Sequence, residues 1–307
     1  MWFKQAQLFE FEKKSSFDPG ELEAQLEQLS FTPCPSGLPI SQGWVSPTDE
    51  EDAPLVYKVP GFLLICLQTE AKLIPPKIIH QKLSERVKEI QTTQDRKVSY
   101  KERNAIKQEV YNELLPKAFG VLYRDYAFID TKNNWLILNT NNAKNTEKFI
   151  TFFKRSLNKI KIASPEIKKL SPILTKWLLD GSHPKALNIE DACVLQDPKQ
   201  PERSTRIQKQ DLSANYVQTL IKNNFEISQM KMTWNDQVTF VLKNDFTLQS
   251  LQYQDSVAEL SAEYKGGHKN DSEEVDFKTD FLIMSGILAK VFSEFLRVFA
   301  KKADKQA

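Results

Sequence analysis

Forty-two Lys and Arg in a 307-residue chain include three groups whose types and spacing suit phosphate contact. The densest comprises Lys72, Lys77, Lys82, Arg86, Lys88, Arg96, Lys97, Lys101, Arg103 and Lys107. A second is Leu114-Leu115-Pro116-Lys117-Ala118-Phe119, where a cation stands two residues before an aromatic ring. A third, from Arg203 to Asp211, offers Arg203, Arg206, Lys209 and Gln210. Lysine and arginine neutralise phosphates and release counterions, so such groups bind nucleic acid without reading its sequence. Each cation taken alone is more often a solvated surface charge. Phe119 has two readings: packing at a helix end, or an exposed apolar contact to DNA or a second subunit. No zinc-finger, RRM or helix-turn-helix signature is present, so sequence-specific readout is not supported.

Catalytic constellations are absent from the sequence. The nine glycines form no phosphate loop after a strand, and there is no His-Glu-x-x-His and no nucleophile elbow. Cys34, Cys66 and Cys193 lack paired spacing, and His80, His183 and His268 are scattered, which argues against a zinc cluster, a disulfide framework or a His-rich centre. The run Asp49–Asp52 lies in a Pro-rich acidic stretch and reads as solvated, and Asp276 and Asp280 read as one edge of a helix. No enzyme activity, metal or cofactor is expected. A metal-dependent nuclease stays as a competing class, because carboxylates distant in sequence can gather around a divalent ion in space.

The elements that must carry these cations are unequally charged. The net charge is only +2, which excludes a histone-like binder. Residues 1–70 carry −7, 71–124 carry +6, 141–176 carry +7 and 243–289 carry −5. Two basic segments thus lie between acidic ends. They fit either a basic surface facing a polyanion or ordinary solvated helix faces. The N-terminus has no apolar leader run, and the apolar stretch from Phe281 to Ala300 is interrupted by Lys290, Glu294 and Arg297, so it reads as an amphipathic helix rather than a membrane span. Free cysteines and no leader predict a cytoplasmic protein.

Strands are predicted at Gln5–Glu12 and Leu55–Leu67, with a short helix at Glu21–Leu29 and loop over 33–54. Pro75-Pro76 precedes a helical hairpin from Lys77 to Leu115, whose turn falls between Gln91 and Tyr100, where apolar periodicity is lost. Strands follow at Phe128–Asp130 and Trp135–Asn139. Asn145–Ile160 is an amphipathic helix with Phe149, Phe152, Phe153 and Leu157 on one face and Lys148, Lys154, Arg155 and Lys159 on the remainder. Its phenylalanines read as core, not as a base-stacking platform. Ser171–Leu179 and Ser213–Asn223 read as helices. Ala192–Leu195, Ser204–Gln208, Phe225–Thr233, Gln237–Leu242 and Thr247–Gln252 read as strands. Gly266–Glu274 reads as a polar loop before the terminal helix. The expected class is α+β: a multi-lobed subunit with mixed or antiparallel sheets and a projecting helical hairpin. The expected division is an N-terminal α+β lobe at 1–75, the basic hairpin at 76–125, a central α+β lobe at 126–180 and a C-terminal α+β lobe at 181–307.

Several short motifs follow one another through the whole chain: Trp2-Phe3-Lys4, Phe31-Thr32-Pro33-Cys34, Gly43-Trp44-Val45, Leu114-Leu115-Pro116-Lys117-Ala118-Phe119 and Ile129-Asp130-Thr131. Lys209-Gln210-Asp211-Leu212 and Asp280-Phe281-Leu282-Ile283-Met284-Ser285-Gly286 complete the set. In order and spacing these resemble the RdgC family of recombination-associated proteins. The resemblance implies a bacterial, cytoplasmic, nucleoid-associated protein. It implies a ring-shaped homodimer whose basic inner surface surrounds double-stranded DNA with little sequence preference; binding of single-stranded DNA is left open. It further implies restraint of the RecA recombinase by occupation of its DNA, no catalytic activity, no cofactor and no membrane partner. By motif, Lys117 and Phe119 match a basic–aromatic element implicated in DNA or ring contact, Lys209 and Gln210 lie in a gate-like segment, and Arg96 falls in the hairpin. The position of Lys117 is often arginine in the family; lysine keeps the charge and loses the bidentate fork. The expected DNA-binding set is Arg96, Lys97, Lys101, Lys117, Phe119, Arg206, Lys209 and Gln210. The alternative is an interaction module that restrains RecA directly, with its basic helices merely solvated.

Overall fold

The computed structural model describes all residues except 13–16, 49, 51, 158–159, 266–272 and 302–307. Asp49, Glu51, Lys159, His268 and most of the expected 266–274 loop therefore lie outside the described residues. In chain order the strands are β1 (Ala6–Phe11), β2 (Ile40–Val45), β3 (Val56–Val59), β4 (Phe62–Leu73), β5 (Phe119–Asp130) and β6 (Trp135–Leu138). They continue as β7 (Ile162–Ala163), β8 (Leu187–Gln196), β9 (Ser204–Gln208), β10 (Glu226–Trp234), β11 (Val238–Lys243) and β12 (Thr247–Tyr253). The helices are α1 (Pro19–Glu27), α2 (Pro76–Gln94), α3 (Tyr100–Leu114), α4 (Ala143–Ser156), α5 (Leu170–Asp180), α6 (Asn215–Lys222), α7 (Asp255–Lys265) and α8 (Glu273–Phe299). The class is α+β, and its ladders are antiparallel. The chain divides into two compact units: 1–22, 56–64 and 126–307 form the first, and 23–55 and 65–125 the second.

In the first unit the strands run β9-β8-β10-β11-β12-β1-β6, and the end of β5 pairs with β6 through Ala127↔Leu138 and Asp130↔Trp135. Helix α8 buries one stripe: Phe281, Met284, Leu288, Phe292, Phe295 and Phe299, at three- and four-residue intervals. The edge of Phe240 meets Phe295 at 5.8 Å, and Trp177 of α5 lies 5.2 Å from Phe299. Each such ring stabilises by about 1.5–3 kcal/mol on leaving water. The apolar C-terminal run is thus a core helix, and no helix among the described residues is long and apolar enough to cross a membrane. The opening motif joins the same core: Phe3 is fully buried and its N–H donates to Met284 Sδ at 2.9 Å.

The motif Ile129-Asp130-Thr131 makes the β5–β6 turn. The buried Asp130 carboxylate accepts from Lys132 N at 3.0 Å, Asn133 N at 2.9 Å and Asn133 Nδ2 at 2.6 Å. Replacing it with alanine strands these donors, so Asp130→Ala is expected to cost about 2–3 kcal/mol in urea denaturation. The expected strand Leu55–Leu67 is instead two strands, β3 and β4, because Gly61 takes a left-handed conformation at φ +86° and turns the chain between them.

In the second unit β2 pairs with β4 from Ile40↔Ala71 to Val45↔Cys66. The loop expected over 33–54 is corrected here: its centre is a strand. The motifs explain why. Phe31 N donates to Trp44 O at 2.9 Å and Trp44 N to Leu29 O at 3.0 Å, which lays the segment after α1 directly on β2. A Cβ on Gly43 would lie 2.3 Å from Phe31 Cα, so only glycine permits the approach. Helix α7 was also not expected. The hairpin of α2 and α3 closes on Leu83, Ile106 and Val110, flanked by Ile79, Val87, Ile90, Val98 and Leu114. Asp95 in the left-handed region ends α2, and Ser99 Oγ accepts Glu102 N at 3.2 Å to start α3.

Candidate nucleic-acid interface

Five of the expected residues belong to the second unit and three to the first. In the second, Arg96 and Lys97 occupy the turn between α2 and α3, and Lys101 is on the first turn of α3. Lys117 ends a single 3-10 turn, Leu115–Lys117, and Phe119 begins β5. The fifteen residues of α3 separate these two groups by about 22 Å. They are two sites at opposite ends of one helix, not one cluster.

Arg96 is already occupied. Its guanidinium grips Glu102 with two bonds, Nη1 to Oε2 at 2.8 Å and Nη2 to Oε1, while Nε donates to Gln94 Oε1 at 2.6 Å. The pair holds the Glu102 carboxyl below its ordinary range. Lower on the hairpin, Arg86 and Lys82 share Glu113 at 2.9 and 3.6 Å. The hairpin's positive charge is partly spent on its own carboxylates. Lys97 and Lys101 stand exposed without an ion pair among the described residues.

Lys117 and Phe119 are positioned by the end of α3. Leu115 is buried and anchors the turn, Pro116 prevents the helix from continuing, and Ala118 N closes the turn on Leu115 O at 3.2 Å. The chain then leaves as a strand. Lys117 is exposed, and Phe119 is 86% exposed. Tyr123, four residues on and so on the same face of β5, is 51% exposed, and Leu122, on the opposite face, is 57% exposed. The sequence reading missed these two, because Phe119–Tyr126 was not recognised as a strand; its run of Val, Leu, Tyr and Phe was the available signal.

In the first unit, Arg206 sits on β9 opposite Val194 and is exposed. Lys209 follows in a left-handed conformation at φ +53°. The Gln210 N–H donates to Asp191 O at 3.3 Å, and its Oε1 accepts from the Tyr216 hydroxyl. Asp211 accepts from Ser213 N at 2.8 Å, and Leu212 is buried, so this motif is a built turn. Lys209 and Gln210 line an open groove of about 550 Å³ whose rim also carries Glu190, Asp191 and Asp211. The Lys231 ammonium, 2.9 Å from Asp191, holds that carboxyl below its ordinary range, and Lys209 adds a smaller electrostatic contribution. Lys209 thus stands in a mixed-charge setting, unlike Lys117. Arg203 serves the fold: it pairs with Asp197 at 3.1 Å and lies over the Phe225 ring at 5.6 Å.

Among the described residues no three His, Cys, Asp or Glu gather closely enough to hold a metal ion. The three cysteines are buried and form no disulfide among the described residues, and burial pushes the Cys193 thiol up to about 11.

The sequence matches the family described as "Putative exonuclease, RdgC" over residues 1–302. It is similar to proteins named recombination-associated protein RdgC. The one from Halorhodospira halophila (strain DSM 244 / SL1) is 28% identical over 287 residues, which cover 93% of each chain. That from Sodalis glossinidius (strain morsitans) is 25% identical over 309 residues, covering 100% of this chain and 99% of the relative. That from Serratia proteamaculans (strain 568) is 27% identical over 308 residues, covering 99% of this chain and 100% of the relative.

Proposed function

The chain belongs to the RdgC family, and from that premise we propose that it binds double-stranded DNA without reading sequence, as a ring-shaped homodimer closed around the duplex. In this reading it works at the nucleoid and restrains the RecA recombinase by occupying its DNA, and it acts by binding rather than by cutting. The observation that carries the reading is the exposed pair Lys117 and Phe119: a cation outside any ion pair among the described residues beside an uncovered ring. A cation serves a phosphate, and the exposed rings of Phe119 and Tyr123 on one face of β5 suit cover by a second copy of the chain. The relatives' name supplies the recombination context. The family's description favours one other reading, an exonuclease. Such an enzyme needs carboxylates around a divalent ion to activate water and stabilise the leaving oxygen.

One experiment separates the two readings. The purified chain is titrated with linear and covalently closed duplexes of several sequences across a salt series, with magnesium or chelator present. Binding of Z phosphates is expected to give a log–log slope of about −0.9Z, the same for every sequence. After a salt jump, closed DNA is expected to leave more slowly than linear DNA, since escape from a ring needs opening. Identical dissociation removes the ring, no binding at low salt removes the DNA reading, and chelator-sensitive shortening of linear ends establishes the exonuclease.

A further inference from the structure

Helix α4 carries a line of charge that none of the candidate sites above includes. Successive residues of an α-helix turn by 100°, so Lys144, Lys148, Thr151 and Arg155 fall within about 60° of arc. All four are exposed. They run about 16 Å along the axis. None of the three cations forms an ion pair among the described residues, in contrast to Arg96, Arg86 and Lys82 on the hairpin. Glu147, the one acidic residue of α4, and Lys154 lie together on the flank of the line.

The helix cannot roll to hide this face. Phe149 and Phe153 are fully buried on the far side, stacked at 6.2 Å, and Phe153 meets Phe11 of β1 at 6.3 Å. Thr146 Oγ1 donates to Gln7 Oε1 at 2.8 Å, a second tie to β1. Asn142 caps the helix by accepting Lys144 N at 2.9 Å. The cations are therefore presented on a rigid element whose rotation is set by the core.

We propose that the Lys144–Lys148–Thr151–Arg155 face of α4 is a second phosphate-contact surface for duplex DNA. The inference rests on the DNA-binding reading and adds a site to it. Duplex DNA is the occupant that the chemistry fits. The face offers three cations and a hydroxyl, the groups that hold phosphate oxygens. No exposed large apolar side chain lies on α4, so it has nothing with which to anchor a peptide. Along 16 Å of axis one DNA strand presents about five phosphates, enough for every cation to find one.

The test compares the full chain with its Lys144→Gln/Lys148→Gln/Arg155→Gln variant, which keeps good helix formers, and with the corresponding triple Glu variant. Duplex affinity is measured across a salt series, and thermal midpoints are recorded. The expected result is a log–log slope shallower by about 2.7 per chain for the Gln variant, with weaker binding again for the Glu variant. Midpoints should stay within about 2 °C. A wild-type chain that binds duplex while the Gln variant keeps the wild-type slope overturns this inference and leaves the DNA-binding reading standing. A wild-type chain that fails to bind at low salt overturns both.

Discussion

Reversing Lys117 and Lys209 together to glutamate is expected to lower duplex affinity about 10³-fold at 0.1 M salt. Each neutralised phosphate contributes about 8-fold at that concentration relative to 1 M, and a homodimer would carry each site twice. The loss should be uniform across DNA sequences, because phosphate contacts position a protein without reading bases. Lys117 should account for most of it. It is exposed with no carboxylate bonded to it among the described residues, whereas Lys209 shares its groove with Glu190, Asp191 and Asp211. Both side chains are exposed, so thermal midpoints should move by no more than about 2 °C. The informative second readout is RecA-driven strand exchange. If DNA occupancy is the means of restraint, inhibition falls in step with binding. Inhibition that persists after binding is lost would establish direct contact with RecA and retire the occupancy mechanism.

The largest expected stability effect belongs to Gly43→Val. A Cβ at this position would lie 2.3 Å from Phe31 Cα, 2.4 Å from Phe31 N and 2.6 Å from Ser30 C. These are backbone atoms, so no side chain can swing aside. Relief requires the segment after α1 to lift from β2. That breaks the bonds of Phe31 N to Trp44 O and Trp44 N to Leu29 O, and uncovers Trp44, which is 1% exposed. Overpacking combined with two lost backbone hydrogen bonds predicts a cost of about 3–5 kcal/mol. Urea denaturation measures it. Gly37→Ala is the control: a Cβ there meets nothing within 4 Å, and stability should change by less than about 1 kcal/mol. Equal stability of the Val variant and the wild type would show that the Phe31–Gly43 approach is not as described.

Some of this was legible beforehand. The α2–α3 hairpin announced itself through apolar residues at helical spacing, interrupted where Asp95 now turns the chain. Helix α4 showed its phenylalanine face, and α8 its long apolar stripe. Both signals are local, since one helix's periodicity lies within its own sequence. Strand β2 was not legible. Its residues Ile40–Val45 are mixed in polarity, sit among prolines, and owe their conformation to β4 and to the backbone of Phe31. The motif Gly43-Trp44-Val45 was visible, but the reason for its glycine exists only once Phe31 lies across it.

The candidate site divides the same way. By itself the sequence determined which residues carry charge, that cations concentrate between acidic ends, and that Lys117 stands two residues before Phe119. Composition and order suffice for that, because side-chain charge travels with the residue. Which charges remain available was decided by tertiary structure alone. Arg96 is taken by Glu102, Arg86 by Glu113 and Arg203 by Asp197, while among the described residues Lys117, Arg206 and the α4 line stand clear. An ion pair forms between residues that folding brings within a few ångströms, and Arg86 and Glu113, 27 positions apart, meet only because α2 and α3 pack side by side.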